Sequence, residues 1–388
     1  MNGMIRFGLI LTLAACGGAR QTQLPPVTAT PSRPIAAPER PVPYPVVPPP
    51  SFRGAVDRGT RTTTGVPGES YWQQWADYEI DVRIDPAAHT ISGTETVIYR
   101  NNSTDRLPQI FVHLYQNLHA PGAIRNESQE ITGGIELLRV NADGHNSNYV
   151  VNGTHMAITL PAPLESGDTT TLQFTWRFQI PQSGAGRMGW NGDNLLYVGY
   201  WYPQVAVYDD VAGWHIDPYL GNAEFHNAFA NYEYTVHAPD GWLVMGTGEL
   251  TNAADALAPA VLERVRLAEI SDDVVHVVTE ADFGAVTAHS ANGWVSWSFA
   301  ADSVRDVAFS VTRASNWDAM RTPVGDVDGD GTADHARVDA IWRNSAPRWA
   351  QQVEYSRHSI TFLSRYTGIP YPWPHMTAVE GGGIIGGG

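Results

Sequence analysis

Tyr78-Glu-Ile-Asp-Val-Arg-Ile-Asp85 alternates apolar and charged residues without a break. Tyr78, Ile80, Val82 and Ile84 fall on one face and Glu79, Asp81 and Arg83 on the other, which is the period of a half-buried strand. Pro86-Ala-Ala-His89 turns the chain, Ile91 to Arg100 alternates again, and Asn101-Asn-Ser103 supplies the next turn. Working outward, further strands are expected at Ile110 to Leu114, Ala157 to Leu160, Leu172 to Ile180 and Tyr232 to Ala238. Leu243 to Gly246, Val274 to Val278 and Trp294 to Ala300 continue the series. Strands parted by Asn, Gly, Pro and Asp turns, with few helical stretches, predict a mainly β chain with one large antiparallel domain reaching about residue 308.

Beyond that point the pattern changes. Ala346 to Thr367 has no internal proline after Pro347, and Trp349, Val353, Ile360 and Leu363 recur near a helical stripe. Gly368 and Pro370 supply the stop. Tyr371-Pro-Trp-Pro374 is a stiff, extended connector, since each proline restricts the residue before it. Met376 to Val379 reads as a short buried strand. Six glycines among the eight residues Gly381 to Gly388 follow, a composition that lets another backbone or a ligand come close. Ile384 and Ile385 are expected to lack partners, so the chain reads as cut inside a glycine-rich strand.

The 388 residues carry a net charge of −16, with 40 acidic residues against 24 basic ones, all of them arginine. That balance opposes nucleic-acid binding, which needs a basic surface. The absence of lysine excludes Schiff-base chemistry and lysine-assisted phosphate chemistry. The lone cysteine, Cys16, excludes an internal disulfide and a cysteine zinc cluster. Met1 to Ala15 carries Arg6, a short apolar run from Phe7 to Leu13 and two small residues, the layout of a signal peptide. Leu13-Ala-Ala-Cys16 resembles the bacterial lipobox, in which the cysteine is lipidated and becomes the mature N-terminus. Residues 17–69 read as a spacer, because eleven prolines between Leu24 and Pro50 favour extended polyproline II.

Asp326-Val-Asp328-Gly-Asp330-Gly-Thr-Ala-Asp334 places acids at positions 1, 3, 5 and 9 of a loop and glycine at 6, the spacing of calcium loops. Position 12 is Arg337 where a bidentate acid is usual, and Asp339 is the candidate stand-in. The alternative is an acidic surface turn. Among the thirteen histidines no H-E-x-x-H occurs, and neither a G-x-S-x-G elbow nor a P-loop is present. No nucleophile or catalytic metal site can be assembled from motifs in this sequence.

Several stretches together resemble the zinc metallopeptidases related to membrane alanyl aminopeptidase. They are Tyr78 to Asp85 with Ile91-Ser-Gly-Thr-Glu-Thr96, and Trp201-Tyr-Pro-Gln204 with Val207-Tyr-Asp-Asp210. Glu224-Phe225, Gly246-Thr-Gly248 and Phe299 to Phe309 belong to the same set, as do Tyr371 to Pro374 and Gly386-Gly-Gly388. The resemblance covers roughly residues 70–388. It implies a saddle-like β-sandwich domain over 70–308 and the α+β start of a thermolysin-like catalytic domain over 309–388. It further implies a glycine-rich strand that pairs with the peptide substrate, and zinc held by H-E-x-x-H and a later glutamate. Gly387 and Gly388 correspond to the opening glycines of the family's exopeptidase motif. Gln204 is the nearest match to the side chain that the β domain offers to the substrate amine. The zinc ligands and general base are not in this sequence.

The resulting expectation is the N-terminal portion of a zinc-dependent aminopeptidase, lipid-anchored in a bacterial cell envelope and inactive by itself. The other expectation is a non-enzymatic cell-surface β-domain lipoprotein, clipped by calcium, that binds protein or glycan. The aromatic content, 13 tryptophans and 16 tyrosines, suits such a binder.

Overall fold

In this computed structural model residues 47–192, 194–222 and 225–384 are described. The alternation around Tyr78 becomes the centre of the largest sheet. Strands β1 (Trp75–Asp85) and β2 (Thr90–Arg100) pair antiparallel without a slip, from Trp75 opposite Arg100 to Asp85 opposite Thr90. Tyr78, Ile80, Val82 and Ile84 are buried while Glu79, Asp81 and Arg83 are exposed. A slip of one residue would move that whole set into water, so burial fixes the register. The turn between the strands is held by Asp85 Oδ1, which accepts the amides of Ala87 and Ala88 at 2.9 and 3.1 Å.

In chain order follow β3 (Leu107–His113), β4 (Glu136–Ala142), β5 (His155–Leu164) and β6 (Thr169–Gln179). The short β7 (Met188–Asn191), β8 (Leu195–Val198) and β9 (Gln204–Val205) precede β10 (Ala230–Pro239), β11 (Leu243–Gly246), β12 (Val275–Val278) and β13 (Trp294–Val304). The last are β14 (Phe309–Thr312), β15 (Asn316–Gly325), β16 (Asp334–Trp342) and β17 (His375–Val379). Helix α1 is Pro50–Asp57, α2 is Pro259–Ala268 and α3 is Gln352–Thr367.

The eight-stranded sheet runs Glu249–Leu250, β13, β10, β1, β2, β6, β4, His145–Asn146. Here β1 lies parallel to β10, with Tyr78 beside Tyr232, although the two are far apart in sequence. A second sheet is ordered β9-β3-β5 with Tyr149–Asn152 at its edge. A third is ordered β11-β14-β8-β7 with Ser183–Gly184, and a fourth β12-β15-β16-β17. One contiguous apolar cluster that includes Trp176, Trp201, Trp297 and Trp317 joins the inner faces. A smaller cluster, with Met320, Val324, Val338, Val353 and Ile360, seats α3 on β15 and β16. The architecture is therefore mainly β, with an α+β part near the C-terminal end, as the patterning implies.

Strands cross the division placed at residue 308 in both directions. β12, from before it, is an edge of the fourth sheet, and β14, from after it, is a central strand of the third. Pro49 onward forms one compact unit.

Two expectations need correction. The spacer does not extend to residue 69. Pro50 opens α1 at a position where its missing N–H costs nothing, Ala55 is fully buried, and Arg61 grips Asp210 through bonds of 2.8 and 2.7 Å. Ile384 is not without partners either, for it is buried. The helix at 346–367 divides into a 3₁₀ turn, Pro347–Gln351, and α3, which ends on Gly368 in the left-handed region at φ 70°. Among the described residues no helix is long and apolar enough to cross a membrane.

Candidate functional site

The connector Tyr371–Pro374 delivers the chain to β17, which runs parallel to β16 with His375 beside Arg337 and Val379 beside Ile341. Pro374 O accepts from Arg337 N at 2.9 Å, and Glu380 N donates to Ile341 O at 2.8 Å. Main-chain groups alternate along a strand. Residues 374, 376, 378 and 380 therefore turn theirs toward β16, while 375, 377 and 379 turn theirs away. His375 O is taken by the Tyr371 hydroxyl at 3.0 Å. The outward amides and carbonyls of Thr377 and Val379 have no protein partner among the described residues. β17 is the last strand of its sheet, so this is an open edge.

The third sheet faces that edge. Register places Met245 beside Ser310, Ser310 beside Tyr197 and Tyr197 beside Gly189. Directly opposed residues share a face, so the four form one row across β11, β14, β8 and β7. Between this row and β17 lies a groove of about 950 Å³, whose walls include Phe229, Trp373 and Asp306. Trp373 fixes the near wall by donating its indole N–H to Asp302 O at 3.2 Å. The Gly189 place in the row is filled from outside. A Cβ there would collide with Ile384 Cγ2 and the Gln182 carbonyl, so glycine is what lets Ile384 sit down on the sheet.

A polar clamp holds the glycine turn that carries Ile384. Arg343 Nε and Nη2 donate to the two carboxylate oxygens of Glu380 at 2.7 and 3.1 Å, and Arg343 Nη1 donates to Asn191 Oδ1 at 2.9 Å. Asn191 Nδ2 in turn donates to Gly382 O at 2.7 Å, and the Gly382 amide donates to Glu380 Oε1 at 2.7 Å. Gly382 and Gly383 have φ of 59° and 79°, which only glycine adopts freely. Burial alone would raise the Glu380 carboxyl, but the bonds from Arg343, its charge and the Gly382 amide outweigh that and hold it below its usual range.

The groove is acidic, with Glu249, Asp302 and Asp306 against Arg305. Arg305 is already engaged: its guanidinium lies 4.6 Å from the Phe229 ring centre and donates to Asn227 O at 3.3 Å. Burial raises the Asp306 carboxyl, opposed by the Tyr200 hydroxyl and by Arg187. Burial, then Asp306, raises Tyr197. Burial lowers His375, at the mouth of the groove.

Of the residues singled out in the sequence, Gln204 is buried on β9 and donates to Arg305 O at 2.9 Å. It braces the groove wall from behind and does not line the cavity. Cys16, Gly387 and Gly388 lie outside the described residues. Asp326, Asp328 and Asp334 each bring one carboxylate oxygen within 4.8 Å of the others. Asp330 turns instead to Thr332, whose amide and hydroxyl it accepts at 2.7 and 2.6 Å. Asp339 cannot stand in as a ligand, because it is fully buried and bound to Trp317 Nε1 at 2.7 Å and to Arg337. Among the described residues the aspartate triad is the one group whose ligand atoms converge, and it is all oxygen. That set does not fit zinc, which prefers histidine and cysteine with few carboxylates. Sequence reading missed Ser310, Tyr197 and Asp306 as lining residues. The last lies inside the Phe299 to Phe309 stretch that carried the resemblance, but only pairing across three strands brings them together.

No family model and no curated protein matches the chain. Among solved structures it is similar to an M1 zinc metallopeptidase from Deinococcus radiodurans, at 15 % identity over 81 % of this chain and 57 % of that one, with a TM-score of 0.44. A two-domain M1 zinc metallopeptidase variant bound to L-tryptophan gives 13 %, 81 %, 58 % and 0.46. A variant of the Deinococcus radiodurans protein bound to a Tyr-Ser-Ala substrate gives 14 %, 81 %, 58 % and 0.42. The chain thus spans less than two thirds of the length of these proteins. Identities and scores of that size leave the functional argument to the residues themselves.

Proposed function

We propose that the groove beside β17 grips a peptide, and that this chain is the N-terminal portion of a zinc-dependent aminopeptidase of the membrane alanyl aminopeptidase type. One observation carries the reading: Thr377 and Val379 offer main-chain groups, unpaired among the described residues, to a groove of about 950 Å³. A peptide laid there adds a strand to the fourth sheet, with affinity from main-chain bonds and selectivity from the pockets on either side. The sequence motifs around Tyr78, Trp201 and Tyr371 support the family. Zinc would have to be held by residues that this sequence does not contain, so the 388-residue chain is expected to release no amino acids from peptides, with or without added zinc.

The test is titration of the 388-residue chain with an extended pentapeptide, followed by calorimetry. Methylating alternate peptide nitrogens, which removes donors without touching the protein, is expected to weaken binding about tenfold, since each main-chain bond contributes about 1 kcal/mol. Equal affinity for both peptides would sink the reading.

A non-enzymatic binder is the second reading, and the convergent aspartate triad is what favours it. On this reading calcium clips the loop between β15 and β16. Both readings share a lipid anchor at Cys16 in a bacterial envelope. Intact mass of the mature protein checks it, and an unmodified cysteine would remove it.

A further inference from the structure

We propose that Asp306, Ser310 and Tyr197 form a subsite on the groove floor for the cationic side chain of a bound peptide, a lysine or an arginine. The proposal rests on the peptide-groove reading above and adds to it a preference that the fold does not require.

Three observations carry it. Ser310 is fully buried, its hydroxyl has no hydrogen-bond partner among the described residues, and it lines the groove. An unsatisfied buried hydroxyl is a standing cost to the fold, so this position calls for a polar partner. Thr377 Oγ1, on the facing wall, is buried and unpartnered in the same way. Second, Asp306 lines the same cavity and makes no salt bridge among the described residues. Of the arginines around the groove, Arg305 is held by Phe229 and Asn227, while Arg187 lies 5.4 Å from the Phe225 ring centre and reaches Asp306 through its charge alone. Third, Tyr200 adopts φ 52°, a left-handed backbone that a bulky side chain takes only under constraint. Its ring stacks 3.5 Å from that of Phe225, and its hydroxyl opposes the rise of the Asp306 carboxyl.

The chemistry selects a cation. A half-buried carboxylate with Tyr197 close by attracts a charged donor through both the carboxylate and the aromatic face. A neutral apolar side chain would bury the carboxylate with nothing to bond it and would leave the Ser310 hydroxyl unpartnered, which is a penalty rather than a gain. An acidic side chain would meet Glu249, Asp302 and Asp306 with like charge.

The experiment compares two pentapeptides that differ only at the central residue, lysine or norleucine, titrated into the 388-residue chain by calorimetry. The lysine peptide is expected to bind about tenfold more tightly, the effect of one charge-assisted hydrogen bond. Asp306→Asn should bring the two affinities together, and Asp306→Glu should restore the preference. Should Asp306→Asn fail to fold, the wild-type chain still decides: butylammonium must displace the lysine peptide, and butanol at the same concentration must not. Equal binding of both peptides, a preference that survives Asp306→Asn, or equal displacement by both competitors overturns the subsite and leaves the groove reading intact. Binding of neither peptide overturns both.

Discussion

Arg343 holds Glu380 through two nearly parallel hydrogen bonds of 2.7 and 3.1 Å, and so ties the end of β16 to the residue that follows β17. Both side chains are largely buried, at 15 % and 9 % exposure. A bidentate guanidinium–carboxylate pair fixes orientation as well as distance. Removing one partner strands the other charge out of water. Glu380→Gln or Arg343→Ala is therefore expected to cost about 3 kcal/mol, read as a lower urea midpoint. Arg343→Lys should recover only part of it, because an ammonium cannot span both oxygens and reach Asn191 as well. A change below about 0.5 kcal/mol in all three would show the clamp to be idle.

Acid should weaken the fold in a defined window. Burial, and then His155 across the strand pair, depress His113 to about 4 against an ordinary value near 6.5, opposed by a bond to the His215 backbone and by Asp217. Burial lowers His119, His155 and His226 as well. A histidine kept neutral in the fold binds fewer protons than it does unfolded, so stability rises with pH across that interval. The contribution is complete above pH 6.5 and falls away toward pH 4. His113 alone accounts for roughly 3 kcal/mol at about 1.36 kcal/mol per pH unit. Glu380 acts in the same direction at lower pH, being depressed in the fold and losing its contribution as it protonates. Urea melts at pH 7.5, 6 and 4.5 should show the decline, and His113→Asn should make it shallower above pH 4.5. A flat wild-type profile would rule it out.

Calcium should bind through Asp326, Asp328 and Asp334 and not through Asp330. All four aspartates accept local amides, but only Asp326, Asp328 and Asp334 converge, while Asp330 Oδ1 turns to Thr332. Calorimetry with calcium chloride is expected to give heat that Asp326→Asn removes and Asp330→Asn keeps. Calcium at a hundred times its dissociation constant should stabilise the chain by about 2.7 kcal/mol. No heat and no rise in melting temperature would leave the loop as a plain acidic turn.

The sequence made the strands legible wherever one face meets water. Tyr78 to Ile84 shows its period because Glu79, Asp81 and Arg83 mark the wet side. The terminal strand and the helix before it were legible for a different reason, the prolines and Gly368 that punctuate them. What could not be read was adjacency. Nothing near Tyr78 announces that its parallel neighbour is Tyr232. The groove floor is harder still: the strand of Met245 was legible as Leu243 to Gly246, but Ser310 and Tyr197 come from strands of four residues each, too brief to carry a period. Helix α1 was hidden by the prolines before it, since Pro50 belongs equally to a proline-rich run and to a first helical turn. The acidic loop was the reverse case. Its spacing was plain, yet Asp330 and Asp339 spend their oxygens locally, and no spacing rule reveals that.

Ile384 rests where Gly189 has no side chain, since a Cβ there would meet Ile384 Cγ2 and the Gln182 carbonyl. Any larger residue at 189 would lift Ile384 away and pull on the turn that Arg343 and Asn191 hold. One absent methyl group is thus the seat on which the last described residues are anchored.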